Sequence, residues 1–338
     1  MPTNPLFTLA RRGWLRPMIE LGWLGRSAYR VAFRGAGLES GLLRELDHQP
    51  SSVAGLMSRL DFQPDMADGL ASWLDAGVAC GELSRDGEGR YVIRRQSLKK
   101  LLRPANDPVA AFTIEMATLH HRLLLETPRR LASGERFAVS EADPAVIARS
   151  SRLSEPWITS ALERCAPQSE PVRLLEVGCG SGTHIRTAAQ MNRQLTAVGL
   201  ELQEPAAEIA RRNIATWGLD ERVEIAVGDI RDRTPDASAD LVTLHQNIYY
   251  FREQDQVELF QHLAGFLAPG GTLLVMTAVR TGTLAPATLD LWGAMSEGCS
   301  RLPVPDELVA RMHEAGLRDA RAAKLGSDGL YYAFVATR

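Results

Sequence analysis

A short apolar strand that ends in a glycine-rich turn constrains the fold of this chain more than any other feature. Residues 172–182 read Val-Arg-Leu-Leu-Glu-Val-Gly-Cys-Gly-Ser-Gly, and a helical segment follows at 184–190. Gly178, Gly180 and Gly182 permit a positive φ and a close approach of the backbone to a bound ligand. This strand–turn–helix unit predicts an α/β domain with a ligand site at the turn.

Acidic residues beside and after this turn narrow the kind of ligand. Glu176 stands before the first glycine, where a carboxylate would repel a pyrophosphate and attract the cationic amino-acid part of a ligand. A second strand is predicted at 195–200 and is followed by Glu201, whose carboxylate can accept hydrogen bonds from both hydroxyls of a ribose. Leu202 comes next and is included among the expected cofactor contacts.

Two further predicted strands supply the rest of the expected site. The strand at 223–227 leads to Asp229, suited to the amino group of an adenine, and to Ile230, suited to packing on its ring. The strand at 241–244 is followed by His245, at the carboxyl edge of a parallel sheet, where ligands bind in such folds. His245 is therefore a candidate both for cofactor binding and for the general base.

The other elements of this half complete an alternating β/α pattern. Apolar periodicity and stop signals predict helices at 206–217, 254–267 and 306–315. Strands are expected at 272–277, after the stop signal Pro269-Gly270-Gly271, and at 318–324 and 330–336, around a turn at 326–329.

The first half of the chain is predicted to be helical. Three short helices followed by a hairpin predict a winged helix, and longer helices come after it. The short helices are expected at 40–47, 51–60 and 64–76, and the hairpin strands at 81–84 and 90–93. A serine is expected to cap the second helix, and Gly77 is expected to close the third. The later helices are expected at 107–132, 144–152 and 155–165. One face of the first of these is expected to carry Phe112, Met116, Leu119, Leu123 and Leu124.

Charge argues against nucleic-acid binding by this winged helix. The third helix would enter a DNA groove, but it carries Asp65, Asp68 and Asp75, with no Lys or Arg between Pro64 and Gly77. Carboxylates there would be repelled by phosphates, and the formal net charge of the chain is -3. We expect a dimerisation module and no nucleic-acid partner.

The first 34 residues combine arginines with aromatic and aliphatic side chains. This pattern favours an amphipathic helix that packs on a partner subunit, and the alternative is a membrane-surface or targeting helix. No apolar run approaches the ~20 residues that span a bilayer, so no stable membrane insertion is expected. Four scattered cysteines predict free thiols and a cytoplasmic location, and no cluster of His, Cys, Asp and Glu predicts a metal site.

The segment Glu176-Val-Gly-Cys-Gly-Ser-Gly182, with Glu201, Asp229 and the Pro269-Gly-Gly271 stop, resembles the class I S-adenosylmethionine (SAM)-dependent methyltransferases. This resemblance implies SAM as the cofactor and a Rossmann-like sheet of seven strands, and it covers roughly residues 155–338. With the winged helix in front, the chain is similar to the dimeric small-molecule O-methyltransferases. Residues 289–292 and 298–301 echo the substrate-pocket helix of that family and the turn after it.

The resemblance implies three regions and two kinds of partner. They are a winged-helix-like dimerisation domain at 1–105, linker helices contributing to the substrate pocket at 106–168, and a SAM-binding catalytic domain at 169–338. The change of pattern falls at Pro167-Gln168-Ser169-Glu170-Pro171. A small-molecule substrate and a second copy of the chain are the expected partners.

Two positions depart from the pattern of that family. Its general base is a histidine just after the fourth strand, where this chain has Tyr250, and the acid that orients the base is replaced by Thr277. Candidate catalytic residues are therefore His245, Tyr250 and His120. Tyr250 is expected to orient the substrate by a hydrogen bond, because a phenol titrates near pH ~10. His120 lies on the long helix that lines the pocket in relatives.

Three functions remain open at this point. The first is transfer of a methyl group to oxygen of a small phenol or enol. The second is methylation of carbon or nitrogen on an activated ring or enol, which the missing histidine favours. The third is a winged-helix regulator that binds SAM as a signal, and the acidic third helix argues against it.

Overall fold

The computed structural model describes residues 5–165, 170–327 and 329–338, and these fall into two compact units. The N-terminal unit runs up to Leu125 and includes Ala142–Arg152, and the C-terminal unit comprises Glu126–Glu141 and Leu153–Arg338. The predicted linker region 106–168 is thus shared between the units. Residues 166–169, where the sequence predicts the change of pattern, lie outside the described residues, as does Asp328 of the predicted 326–329 turn.

Helices and a small hairpin form the N-terminal unit. Helices α1–α5 span Pro5–Arg11, Leu15–Glu39, Leu42–His48, Val53–Arg59 and Ala67–Ala79, and strands β1 and β2 span Leu83–Arg85 and Tyr91–Ile93. Helices α6–α9 span Gln96–Leu101, Asp107–Glu115, His121–Ser133 and Pro144–Ser150. The helix α8 continues into the C-terminal unit. The strands pair antiparallel, with Leu83 opposite Ile93. Three helices and a hairpin in this order form the predicted winged helix, around a core that includes Leu43, Leu56, Leu74 and Leu98.

Gly77 does not end the third helix of the winged helix, contrary to the prediction from sequence. The helix α5 continues to Ala79, and Gly81 takes the positive φ of 75° that follows the helix. Gly77 instead lies against α2, because a Cβ there would fall 2.3 Å from the ring of Phe33. The absence of a side chain at Gly77 thus allows α5 to pack closely against α2.

The N-cap of α4 is Ser52, whose side chain accepts a hydrogen bond from the backbone of Gly55.

The long helix predicted at 107–132 is interrupted by a π-helical segment. Helix α7 passes into this segment, Met116–His120, before α8 begins. Leu119 and Leu123 are buried, but Leu124, predicted to share their face, is exposed. Adjacent residues of an α-helix differ by about 100° in direction, so Leu124 points away from the face that buries Leu123, and the prediction for Leu124 was wrong.

A seven-stranded sheet flanked by helices forms the C-terminal unit. Strands β3–β9 span Arg173–Val177, Thr196–Glu201, Val223–Val227, Ala239–His245, Leu267–Ala278, Arg318–Lys324 and Tyr331–Thr337. Helices α10–α15 span Glu155–Cys165, Thr183–Met191, Glu204–Thr216, Gln256–Phe266, Leu284–Met295 and Pro305–Glu314. The strand order is β5-β4-β3-β6-β7-β9-β8, with β9 antiparallel to both of its neighbours. This is the predicted Rossmann-like sheet with a terminal antiparallel hairpin.

Apolar side chains cover both faces of this sheet. One core packs α10, α11 and α12 against one face, around Leu174, Leu241 and Leu274, and the other packs α13 and α15 against the opposite face, around Leu175, Val242 and Leu273. Neighbouring residues of each strand therefore point to opposite cores. Burial on both faces leaves the ends of the strands as the place where polar side chains can reach a ligand.

The stop signal Pro269-Gly270-Gly271 has a different place from the predicted one. Helix α13 ends before it, as expected, but these residues belong to the irregular beginning of β7. Ala239 and Leu241 of β6 pair with Leu267 and Thr272, so β7 carries extra residues over this stretch. A β-bulge of this kind explains why residues that break the helix are nevertheless inside the strand.

Within the described ranges, no helix combines the length and the apolar character needed to cross a membrane.

Candidate active site

The glycine-rich turn is held by backbone hydrogen bonds to the neighbouring strand. The amides of Gly178 and Cys179 both donate to the carbonyl of Leu200 at the end of β4, at 2.7 and 3.0 Å. Gly178 and Gly180 have φ values of 68° and 54°, which an L-residue adopts only with strain. A Cβ on Gly180 would meet no atom within 4 Å, so the turn has an open side at this residue.

Two asparagines that the sequence reasoning did not identify as site residues anchor this turn. Asn247, just after β6, donates from Nδ2 to the carbonyl of Val177 at 2.5 Å. A Cβ on Gly178 would lie 2.6 Å from the same Nδ2 atom, so a residue with a side chain at this position would clash with Asn247. Asn213 on α12 donates to the carbonyl of Ser181 at 3.0 Å. The only signal in the sequence for Asn247 is its place in the polar run after β6.

Glu201 lies at the carboxyl end of β4 and reaches the glycine turn. Its Oε2 atom accepts a hydrogen bond from the amide of Gly180 at 2.9 Å, and Oε1 accepts one from the amide of Gln203 at 3.1 Å. Leu202, the next residue, leaves 62% of its surface exposed. An acceptor of this geometry beside an apolar side chain fits a ribose and the ring system attached to it.

Asp229 and Ile230 follow β5 as predicted, but the carboxylate of Asp229 already has a partner. Arg231 donates to it from its backbone at 2.9 Å and from its guanidinium group, so the pKa of Asp229 is lowered chiefly by the hydrogen bond to this side chain. Ile230 is buried in the core of the sheet. The amino group of an adenine would share the Asp229 carboxylate with Arg231.

Behind the turn lies a cluster of one carboxylate and two imidazoles. Glu176 is almost completely buried, and its Oε1 atom lies 3.1 Å from Nδ1 of His184 in the first turn of α11. The ring of His184 meets the ring of His245 edge to face, with centroids 5.3 Å apart. His184 is thus a site residue that the sequence reasoning missed, and its place two residues after the last glycine of the turn is the signal that could have indicated it.

His245 occupies an apolar position at the end of β6. Both ring nitrogens are buried and have no hydrogen-bond partner among the described residues. Burial, and secondarily the charge of His184, holds the pKa of His245 well below its usual value of 6.5. The imidazole is therefore neutral at neutral pH, which suits a hydrogen bond with a ligand better than the uptake of a proton.

Cys179 is buried under the same turn. Burial raises the pKa of its thiol, and the nearby charges of Glu176 and Glu201 raise it further. The two carboxylates therefore make the electrostatic potential at the turn negative, which is the polarity that a cationic ligand requires. Among the described residues, no group of His, Cys, Asp and Glu is arranged to hold a metal ion.

Tyr250 ends a short 3₁₀ helix that follows β6, and it is partly exposed. Gln246 at the start of this connection has a φ of 56° and is bonded at both ends to β7: its amide donates to Met276, and Oε1 accepts from Ala278. Thr277 is fully buried in β7. Gln246 thus ties the connection that carries Tyr250 to the part of β7 that contains Thr277.

The predicted pocket helix and the turn after it are tied together within the C-terminal unit. Asp290 on α14 accepts hydrogen bonds from the backbone of Leu302 at 2.9 Å and from the guanidinium group of Arg301. The amide of Ser300 donates to the carbonyl of Tyr249 at 2.8 Å. These bonds place the 298–301 turn beside the connection that carries Tyr250.

His120 belongs to the N-terminal unit, at the end of the π-helical segment. Its Nε2 atom lies 3.1 Å from Oε1 of Glu115, and its ring meets that of Phe112 edge to face. Both side chains of the pair are largely buried. His120 thus has a carboxylate partner of its own, and its catalytic role stays a prediction.

A seven-stranded sheet in this order, with a glycine turn and carboxylates at the ends of successive strands, defines the class I SAM-dependent methyltransferase fold. Comparison with known proteins agrees with this assignment. Residues 174–271 match a protein family described as "Methyltransferase domain". This match confirms the resemblance to methyltransferases found in the sequence.

Among curated proteins, the chain is similar to aclacinomycin 10-hydroxylase RdmB from Streptomyces purpurascens, with 31% identity over 166 residues, covering 48% of this chain and 44% of that protein. It is also similar to methyltransferase GfsG from Streptomyces halstedii, with 30% identity over 151 residues, covering 43% of this chain and 52% of that protein. The chain thus spans about half the length of these two relatives.

Solved structures share the fold over almost the whole chain. The mitomycin 7-O-methyltransferase MmcR superposes with a TM-score of 0.77 at 21% identity, covering 98% of this chain and 100% of that one. At these identities the likeness shows the fold alone, and it includes the N-terminal helical unit.

Proposed function

We propose that this chain is a SAM-dependent methyltransferase that transfers a methyl group to an oxygen atom of a small molecule. The observation that carries this proposal is the open glycine turn at Gly180, flanked by the carboxylates of Glu176 and Glu201. The shared fold with an enzyme named as a small-molecule O-methyltransferase supports the class of acceptor.

The residues at the turn fit SAM part by part. Glu201 would accept hydrogen bonds from the ribose hydroxyls, Leu202 and Ile230 would contact the adenine, and Glu176 would favour the cationic amino-acid end. His245, whose ring nitrogens lack partners in the described structure, offers one neutral polar group to this ligand. Bound SAM would supply an electrophilic methyl group, and the protein supplies the position and orientation of the acceptor.

The acceptor oxygen needs to lose its proton, and general-base assistance is typically worth about 10²–10⁴-fold. His245 is a weak base because burial depresses its pKa, so it offers little help in removing that proton. We therefore propose that the acceptor is itself acidic, such as an activated phenol or an enol. In this scheme Tyr250 orients the acceptor by a hydrogen bond.

The cofactor site can be tested by calorimetric titration with S-adenosylhomocysteine, the demethylated product of SAM. Substitution Glu201→Ala is expected to weaken binding at least about tenfold, because charge-assisted hydrogen bonds to the ribose are lost. Glu224→Ala is the matched control, since Glu224 lies on the adjacent strand β5 and is exposed. Equal affinity in the wild type and the Glu201 variant would show that the site is misplaced.

A second candidate function is transfer to carbon or nitrogen. Tyr250 and Thr277, in the places of the base and its orienter, favour an acceptor atom that carries no acidic proton. One curated relative, from Rauvolfia serpentina, is named ajmaline N-methyltransferase; it is 30% identical over 116 residues, covering 34% of this chain and 38% of that protein. Incubation with trideuteromethyl-SAM and a panel of phenols, enols and aryl amines, followed by NMR of the products, identifies the methylated atom.

We also propose that the chain forms a homodimer through its N-terminal unit. The first half of α2 exposes apolar side chains on several sides of the helix, among them Met18, Ile19, Leu21, Trp23 and Leu24. Such a surface is characteristic of a contact with another polypeptide. Sedimentation velocity of the wild type and of Trp23→Glu would report a shift from dimer to monomer, and an unchanged dimer would refute this interface. A cytoplasmic location stays a prediction.

A further inference from the structure

Arginine side chains line a cavity in the N-terminal unit. The cavity has a volume of about 380 Å³ and is bordered by Arg26, Arg30, Gly81, Arg94 and Arg95. Arg26 and Arg30 are one turn apart on α2 and share a face, and Arg94 and Arg95 directly follow β2. Two separate elements therefore direct guanidinium groups towards one space.

One buried carboxylate offsets part of this charge. Glu82 is completely buried, and its carboxylate lies 3.4 Å from Nε of Arg30, 3.3 Å from Nε of Arg95 and 2.9 Å from Nη2 of Arg34. Within the part of the chain that the structure describes, Arg26 and Arg94 have neither an ion pair nor a side-chain hydrogen bond. The region therefore holds five guanidinium groups around a single carboxylate.

Backbone contacts fix the orientation of two of these groups. Arg30 donates from Nε to the carbonyl of Cys80 at 2.8 Å, and Arg95 donates from Nε to the carbonyl of Gly81 at 3.0 Å. Their Nη2 atoms both lie 3.7 Å from the position that a Cβ would take on Gly81. Both guanidinium groups thus face a common point above Gly81, where the missing side chain leaves space.

A fixed pair of guanidinium groups facing one point is suited to an anion with several oxygen atoms. Guanidinium groups bind phosphate through two parallel hydrogen bonds, and uncompensated like charges at close range repel each other until an anion binds. Arg26 and Arg94 stand beside this point without partners of their own, so a ligand with more than one negative charge matches the site.

We propose that Arg26, Arg30, Arg94 and Arg95 form a binding site for a small polyphosphate, such as a pyrophosphate group. Nucleic acid fits less well, because α5, the helix that would enter a DNA groove, and the turn before it carry Asp65, Asp68 and Asp75. The site belongs to the N-terminal unit and does not depend on the function proposed for the glycine turn.

Isothermal titration of the full-length protein with inorganic pyrophosphate tests this proposal. The wild type is expected to show saturable binding that weakens as salt is added, because the contacts are between charges. The double variant Arg26→Ala/Arg94→Ala should bind pyrophosphate at least about tenfold more weakly. It removes the two arginines without structural partners, so folding should be unaffected, and an unchanged affinity for S-adenosylhomocysteine would report this separately.

The matched control is Arg103→Ala/Arg212→Ala, which removes the same amount of charge from two exposed arginines elsewhere. The control should bind pyrophosphate as the wild type does. The proposal is overturned if the wild type gives no saturable signal, if both double variants lose affinity equally, or if a DNA duplex binds in a manner sensitive to the Arg26/Arg94 pair while pyrophosphate does not.

Discussion

Substitution of alanine for Gly178 should damage the glycine turn in a way that can be calculated from its surroundings. The residue has a φ of 68°, and the left-handed conformation costs an L-residue about 1–2 kcal/mol. The new Cβ would lie 2.6 Å from Nδ2 of Asn247, so the Asn247 side chain has to move. Loss of its hydrogen bond to Val177 adds about 1 kcal/mol. We expect Gly178→Ala to lower the unfolding free energy by about 2–3 kcal/mol.

Gly180→Ala is the matched control, because it differs from Gly178→Ala mainly in the contact. Its φ of 54° carries similar strain, but no atom lies within 4 Å of the new Cβ. The loss of stability should therefore be limited to about 1–2 kcal/mol. The added methyl group would, however, occupy the open side of the turn where we propose that SAM binds. Gly180→Ala should thus lose more S-adenosylhomocysteine affinity than stability.

Urea unfolding with hydrogen exchange of residues 173–191 measures the stability of this region, and calorimetry measures the affinity. The reasoning requires the larger loss of stability in Gly178→Ala and a strong loss of affinity in Gly180→Ala. Equal destabilisation by the two variants would refute the contact with Asn247. An unchanged affinity in Gly180→Ala would show that the ligand does not approach the open side of the turn.

Two further predictions concern other sites. The folded-state pKa of His245 lies well below 6.5, so the stability linked to its neutral form is present above pH 6.5 and is lost as the pH falls below that value. The unfolding free energy of His245→Leu should therefore fall less steeply between pH 6.5 and 5 than that of the wild type. Parallel profiles of unfolding free energy against pH would contradict this prediction. Gly77→Ala should cost about 1–3 kcal/mol through overpacking against Phe33, whereas Gly87→Ala, with open space around it, should leave the thermal midpoint nearly unchanged.

The order of the elements could be predicted from the sequence because it depends on patterns along the chain. The strand at 223–227 and the one at 318–324 coincide with β5 and β8, since each is bounded by turn residues that end it sharply. Errors arose where tertiary packing decided the outcome. Gly77 resembles a helix stop, but its lack of a side chain serves the approach of Phe33, which is distant in sequence.

The candidate site was predictable in its acids and glycines but not in the side chains that hold them. Glu176 and Glu201 stand at the ends of strands, and parallel pairing brings such ends to one edge of the sheet. Asn247 and His184 have no comparable pattern, because their roles depend on side-chain direction in the folded state. Asn247 reaches Val177 across 70 residues of sequence.

In the cluster of Glu176, His184 and His245, at the carboxyl edge of the sheet, the position of His245 follows from the strand register, whereas that of His184 depends on the turn. Leu244 pairs with Val177, so the parallel register alone places His245 beside the start of the glycine turn. The turn then reverses the chain and brings His184 in the first turn of α11 back to within 3.1 Å of Glu176. The second imidazole, that of His245, has no hydrogen-bond partner among the described residues and stays neutral because it is buried. The same edge of the sheet can therefore present negative charge to a cationic ligand and a neutral nitrogen to a polar one, which is the combination that a sulfonium cofactor and a protonated acceptor require.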